Sequence, residues 1–293
     1  RWNERFIVLL VRVSGYLSIV FVSLICLFLL REGLPALVNA QASSLLGGRW
    51  YPIEDQYGLL PLLLGSLTVT LGAGLIAVPL GIVTAVYISE VAPPLAKELL
   101  KPLVEILAGL PSVVLGFIGI LVLSPALRRL LGLNTGMTAL TGALLLAWAS
   151  IPTIVSVAED TINAVPRSYR EASSALGATQ WQTIWNVTVP AARSGILTAV
   201  MLGIGRVIGE TMAVMMVTGN APVFILGPAA LFSPVRTMTA TIAAEMGEVA
   251  TGSVHYQVLF LIGILLFVFS LVINITAFYF GTPRTKRKNR LLS

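Results

Sequence analysis

The stretch PRSYREASSALGATQWQTIWNVTVPAARSG, residues 166–195, decides how the rest of the chain is read. After Pro166 it is helix-compatible through SYREASSALG, stops at Gly177, resumes as the amphipathic turn WQTIWNV and meets Pro190. Glycine is the usual residue just past a helix end, and proline cannot continue an interior hydrogen-bond ladder. Two short helices with a sharp bend cannot cross a bilayer. The segment is expected to lie at a membrane surface, presenting Glu171, Ala172 and the pair Trp181 and Trp185. Tryptophans at that level also fit a plain surface hairpin that rests among lipid headgroups.

Outward from this segment the chain is apolar in both directions. Of 293 residues, 56% are hydrophobic and 11% charged, with mean hydropathy +0.91. Soluble domains carry about 25% charged residues. The polar surface needed for solution is missing, so this is an integral membrane protein. The single cysteine, Cys26, excludes an internal disulfide framework and reads as a small apolar residue in a span. The lone His255 has no Cys or carboxylate at metal-ligand spacing, which argues against a metal centre. A net charge of +6 does not point to nucleic acid, because the densest basic cluster, PRTKRKNR, directly follows an apolar helix. Anionic headgroups explain it without a second partner.

A spanning helix needs about 20 mostly apolar residues. Six segments qualify, near 6–30, 61–88, 103–123, 138–158, 194–218 and 257–281. The first is too long for the apolar core of a signal peptide and lacks a small-residue cleavage site, so it is expected to be retained. Starting at Arg1, the chain is expected to lack a few leading residues. Six spans place both termini on one side. Lys97, Lys101, Arg167, Arg170, Arg193 and the basic tail make that side cytoplasmic, against Arg31, Arg49, Arg128, Arg129 and Arg236 outside. The expected organisation is a first helix with its outer loop (1–58), a core (59–281) with a cytoplasmic loop at about 159–193, and a basic cytoplasmic tail (282–293). Segment 221–256 is too polar to span, but VRTMTATIAAEMGEV has helical spacing and suits an external or re-entrant helix.

Within the fifth span, GIGRVIGETMAVMMVTGN (203–220) carries Arg206 and Glu210 four residues apart. A charge at the centre of a spanning helix costs roughly 2.5–3.5 kcal/mol, so Arg206 is expected to face protein or water with a partner. Glu210 is the partner that spacing offers, one turn along on the same face. An arginine fork suits a tetrahedral oxyanion because it donates two parallel hydrogen bonds. Glu210 would hold the guanidinium between substrates, or accept a hydrogen bond from a protonated phosphate oxygen, which sulfate does not offer. Thr211 is adjacent and joins the candidate pathway. The competing reading is an ion pair that only fixes helix packing, beside the small-residue stripe Gly195, Ala199 and Gly203. Thr68, Thr70 and Ser112 read as side chains bonded to their own helix backbone, and Asn220 as a cap or turn.

The spacing Glu171-Ala172-Ser173, Gly177, then Val187-x-Val189-Pro190 resembles the EAA loop of ABC importer permeases, E-A-A-x3-G-x9-I-x-L-P. Ser173 replaces the second alanine, and Val187 and Val189 stand for isoleucine and leucine. In that family the loop docks on a cytoplasmic ATPase subunit. The resemblance implies that Ala172 and Ser173 permit close approach, Glu171 caps or pairs across the interface, Gly177 allows the bend and Pro190 closes the motif. The chain has no G-x-x-x-x-G-K-[ST] and no Gly-Lys pair. ATP and Mg are therefore expected on the partner ATPase, with no cofactor on this chain.

GSLTVTLGAGLIAVPLGIVTAVYISE (65–90), AGLPSVVLGF (108–117) and above all GRVIGETMAVMMVTGN (205–220) resemble permeases of the phosphate-specific (Pst) system. The run Gly209-Glu210-Thr211-Met212-Ala213-Val214 followed by Gly219-Asn220 is similar to the PstC-like subunit more than to its PstA-like partner. The resemblance implies an all-α membrane protein with a MetI-like type I importer core and an extra N-terminal helix, in a bacterial inner membrane. It implies a non-catalytic permease subunit partnered by a PstA-like second permease, two PstB-like ATP-binding subunits and an extracytoplasmic phosphate-binding protein. A permease for sulfate or molybdate remains open, and so does a secondary transporter. The latter would call for inverted repeats, which the sequence does not display; an intramembrane enzyme would call for a clustered nucleophile and base.

Overall fold

The computed structural model describes residues 2–40, 42–222, 225 and 227–281. The basic tail singled out above, 282–293, lies outside the described residues. Among the described residues, six helices are long and apolar enough to cross a membrane: Phe6–Asn39, Leu60–Val91, Ser112–Leu131, Ala139–Asn163, Gln180–Gly209 and Val254–Thr276. They are the first to sixth spans below. The chain is a multi-pass, all-α membrane protein.

The fourth span is the hub, the most buried of the six. The second span packs on it through Val69, Ala73, Ala77, Gly81 and Ala85, a stripe repeating every four residues. Facing them are Ala139, Ala143, Ala147, Ile154, Ala158 and Ile162. Lipid tails are as apolar as leucine, so burial alone does not drive spans together. Small residues instead bring backbones close enough for dense van der Waals contact. The fifth span uses the predicted stripe in the same way: a Cβ on Gly195 would collide with Thr161 and one on Gly203 with Ile154, while Ala199 is fully buried. The first span leans on the sixth, with Phe28 and Phe260 edge-on at 5.4 Å, and is otherwise exposed along most of its length. It is loosely packed, as a helix set apart from the core by its outer loop would be.

Two expected spans have different limits. Residues 103–108 belong to a separate amphipathic helix, Pro94–Ala108, and the third span begins only at Ser112. Pro111 lacks an N–H, and its ring disfavours helical geometry at Leu110, so the ladder breaks between Gly109 and Pro111. The fifth span starts earlier and ends earlier than 194–218. It begins at Gln180 and runs through a π turn at Ile184–Thr188, where the Val189 N–H reaches back to the Ile184 carbonyl. That longer register lets Pro190 enter the helix without losing a needed bond. The helix stops at Gly209, and a short helix, Met212–Val217, follows.

Between the fifth and sixth spans, the expected extra helix is present as Met238–Glu245, with the Thr237 hydroxyl accepting from the Ala240 N–H. The short helix before it ends at Gly219 (φ +81°) and Asn220 (φ +48°), and Asn220 Nδ2 donates to the Met215 carbonyl at 2.7 Å, which is the capping role expected of it. At the same end of the bundle, Trp50–Tyr51 and Gln56–Tyr57 form a two-stranded hairpin. Glu245 accepts from Arg236 at 2.6 Å and from Trp50 Nε1 at 3.1 Å, and lies 2.8 Å from His255 Nε2. The carboxylate that His255 lacks in sequence is supplied by a neighbouring helix.

Candidate functional site

Besides the Glu245 cluster, two places among the described residues concentrate polar groups: the helix breaks around Arg206, and the hairpin at residues 164–188.

Arg206 and Glu210 do not form the expected ion pair. Glu210 leaves the helix with extended dihedrals (φ −71°, ψ 128°), so i, i+4 geometry no longer applies to it. Arg206 instead donates from Nη1 to Thr153 Oγ1 at 3.0 Å and from Nη2 to the Ala108 carbonyl at 3.3 Å. Ala108 is the last residue of the 15-residue helix Pro94–Ala108. The final carbonyls of a helix lack intrahelical partners and carry roughly half a negative charge. A helix end thus takes the place of the carboxylate. The arrangement uses two of the five guanidinium N–H groups and leaves the side chain half-buried beside the Gly109–Pro111 break.

Glu210 and Thr211 sit in the second break, between Gly209 and Met212. The Thr211 hydroxyl donates to the Gly209 carbonyl at 3.2 Å, and the Glu210 carbonyl accepts from Thr239 Oγ1 at 3.1 Å. The Glu210 carboxylate has no partner among the described residues. Arg206, Glu210 and Thr211 therefore flank a region where two helices are interrupted. Irregular backbone at membrane depth is tolerated where it is buried in protein or lines a cavity.

The hairpin keeps its predicted first helix, Arg167–Ala175. Gly177 adopts φ +82°, the left-handed conformation a side chain resists. Ala178 N–H bonds to the Ser173 carbonyl and Gly177 N–H to the Ser174 carbonyl, the paired bonds that close a helix C-terminus. The chain then restarts with a capping box in which Thr179 and Gln182 each accept the other's backbone N–H. The second helix is not the separate surface helix the sequence indicates, because it continues into the fifth span. Pro190, exposed on that span, marks the end of its π turn.

Glu171, Ala172 and Gly177 are exposed, as are Trp181 and Trp185, whose rings meet edge-on at 6.0 Å. Leu176 at the tip is 89% exposed. Ser173 differs from its expected place on the outer surface. It is buried, and its hydroxyl lies 2.9 Å from that of Thr183, tying the two arms together from inside.

The residues that anchor this hairpin escaped the sequence reading. Arg170 donates to Glu90 through Nε and Nη2, the shortest contact being 2.6 Å, and to the carbonyls of Val165 and Ile162. Glu90 ends the second span, 80 residues away. The only signal was a lone acid at the end of GIVTAVYISE. Beside the anchor, a cleft of about 520 Å³ is lined by Ser89, Glu90, Lys97, Asn163, Arg167, Arg170 and Glu171. Lys101 bridges Glu159 at 3.0 Å and Asp160 at 3.2 Å. These hydrogen bonds, the one to Glu159 foremost, push its pKa up.

The family model of binding-protein-dependent transport system inner membrane components matches residues 77–285. YqgH of Bacillus subtilis (strain 168), a probable ABC transporter permease protein, is 42% identical over 237 residues, covering 80% of this chain and 76% of its own. The phosphate transport system permease protein PstC of Mesorhizobium japonicum is 34% identical over 287 residues, 92% of this chain and 86% of its own. Among solved structures, a bacterial alginate ABC transporter superposes with TM-score 0.59 at 17% identity, covering 93% of this chain and 95% of that one. The inward-facing MetNI methionine ABC transporter gives 0.55 at 18% identity over 76% and 93%. The shared fold is an all-α, MetI-like membrane core, preceded here by an extra N-terminal helix. With that fold and a family match from residue 77 to 285, the chain belongs to the binding-protein-dependent transport system inner membrane components and is a permease subunit of an ABC importer.

Proposed function

We propose that the importer carries inorganic phosphate and that this chain is its PstC-like permease. It would pair with a PstA-like permease, two PstB-like ATPases that bind ATP and Mg, and an extracytoplasmic phosphate-binding protein. The hairpin at 164–188 and both termini then face the cytoplasm. The observation that carries the substrate reading is the seat of Arg206. Its partners are a hydroxyl and a helix-end carbonyl, so its full positive charge is not cancelled by a carboxylate. A tetrahedral oxyanion can take the remaining donors of the fork. The Glu210 carboxylate, in the helix break that follows and without a partner among the described residues, offers an acceptor to an anion that still carries a proton. Phosphate does at neutral pH; sulfate does not. Relatives named as phosphate permeases support the same substrate. Arg206, Glu210 and Thr211 are thus assigned to the pathway. Glu171, Ala172, Gly177 and the exposed tip are assigned to the ATPase contact, with Ser173 and Pro190 shaping the hairpin.

The test is reconstitution of the four-component importer in liposomes. ATP hydrolysis is measured with binding protein presented with phosphate, with sulfate or with neither. Stimulation by phosphate alone is expected. Equal stimulation by sulfate would overturn the assignment to phosphate.

A further inference from the structure

We infer that Glu90 and Arg170 are positioning residues for energy coupling: their ion pair makes the second span move with the 164–188 hairpin. The inference rests on reading that hairpin as the ATPase contact, and goes beyond it by naming the route from the contact into the membrane.

Arg170 is the only side chain of the hairpin's first helix that reaches two spans at once among the described residues. Four of its five N–H groups are engaged. Nε and one Nη2 hydrogen grip the Glu90 carboxylate; the other Nη2 hydrogen and Nη1 hold the Ile162 and Val165 carbonyls at the end of the fourth span. Both partners are largely shielded, with side chains 24% and 9% exposed. A forked, charge-assisted contact of this kind resists both sliding and rotation, unlike a single hydrogen bond.

Glu90 also receives the second arm. Gln180 Nε2 donates to the Glu90 backbone carbonyl at 3.0 Å. One residue of the second span therefore holds the first arm by its side chain and the second by its backbone. The arms are themselves joined by the Ser173–Thr183 hydroxyl contact. Glu90 lies in a π turn, Tyr87–Val91, that closes the span. The hairpin already continues covalently into the fifth span and closely follows the fourth. The second span has no such covalent link to it; Ala85, Val86 and Ile88 share a buried apolar cluster with Ile184 of the second arm, and among the described residues the directional, charge-assisted tie to both arms runs through Glu90. Apolar packing permits sliding, whereas this residue fixes the end of the second span to both arms, so a displacement of the exposed tip by an ATPase carries that end with it.

The test uses the complete importer in liposomes and reads three quantities: ATPase co-purification, ATP hydrolysis stimulated by loaded binding protein, and uptake of radiolabelled inorganic phosphate. Glu90→Gln keeps the shape and removes the charge; Arg170→Lys keeps the charge and removes the fork. Both should retain ATPase binding and hydrolysis within about twofold, while phosphate moved per ATP falls about tenfold or more. Gln180→Ala, an exposed site where misfolding is not expected, should lower the same ratio about threefold. An unchanged uptake-to-hydrolysis ratio in Gln180→Ala and in whichever charge variants assemble would overturn the inference. So would uptake and hydrolysis falling in strict proportion. Leu176→Asp at the tip separates the two ideas: it should abolish ATPase co-purification. If it leaves that unchanged, the docking role of the hairpin is wrong and the inference falls with it; if it abolishes it while the anchor variants keep a normal ratio, the anchor alone is wrong.

Discussion

Arg206 Nη2 donates to the carbonyl oxygen of Ala108, 98 residues earlier, at the point where one helix ends and the chain breaks before the third span. A cation from the middle of the membrane domain thus closes the negative end of a neighbouring helix. Its own span breaks only three residues later. An anion that draws the guanidinium away would release both constraints together.

Replacing Arg206 tests that arrangement. Arg206→Gln removes the charge and should lower phosphate uptake at least tenfold in a normally assembled importer, while Arg206→Lys should retain part of it. Thr153→Val removes one hydrogen bond worth about 0.5–1.5 kcal/mol and should have a smaller effect. Normal uptake by assembled Arg206→Gln would remove this residue from the pathway.

Packing of the fifth span against the fourth predicts opposite outcomes for two glycines on one helix. A methyl on Gly203 would collide with Ile154, whereas one on Gly205 meets nothing within 4 Å. Gly203→Ala should destabilise by about 1–3 kcal/mol through overpacking. Gly205→Ala should be neutral or stabilising by up to about 1 kcal/mol. Thermal unfolding in detergent compares them directly.

At the end opposite the hairpin, Glu245 gathers Arg236, Trp50 and His255. Glu245→Gln leaves the largely buried Arg236 without its counter-charge, so a loss of about 3 kcal/mol is expected. Release of Trp50 should appear as a red shift in its emission, measured against a Trp50→Phe control, and as faster proteolysis between residues 45 and 59.

Tyr57 is pushed up to about 12 by burial first, then by its hydrogen bond to Asp55 and that residue's negative charge. The shift favours the neutral phenol in the folded chain. Its stabilising contribution is fully present below pH about 10, the ordinary tyrosine value, and is lost as pH rises through about 12. Phenolate absorbance compared between the parent and Tyr57→Phe should show one tyrosine of the seven titrating late. A difference spectrum centred near pH 10 would contradict this.

Gly177 holds a left-handed turn at φ +82° with open space around it. Gly177→Val meets no clash, so its cost is backbone strain of about 1–2 kcal/mol. If the strain is relieved by loosening the hairpin tip, ATPase co-purification should fall roughly tenfold, since 1.4 kcal/mol is a factor of ten in affinity.

Much of this was legible along the chain, because the deciding signals are local. Six apolar stretches reveal six spans, since the bilayer accepts little else. The Glu171 to Pro190 spacing lies within one hairpin, and the Gly195, Ala199 and Gly203 stripe within one helix. Sequence could not give the partners of Arg206, Arg170 or His255. Helical periodicity tells which residues share a face only while the helix continues, and the break after Gly209 removed Glu210 from the face that it shares on paper with Arg206. Thr153, Ala108 and Glu90 lie 53, 98 and 80 residues from the arginines they serve. The sequence determined that charges buried among these helices must be satisfied. Only the packing of second, fourth and fifth spans decided by which groups, because a desolvated guanidinium binds whatever acceptor the fold brings within hydrogen-bond reach.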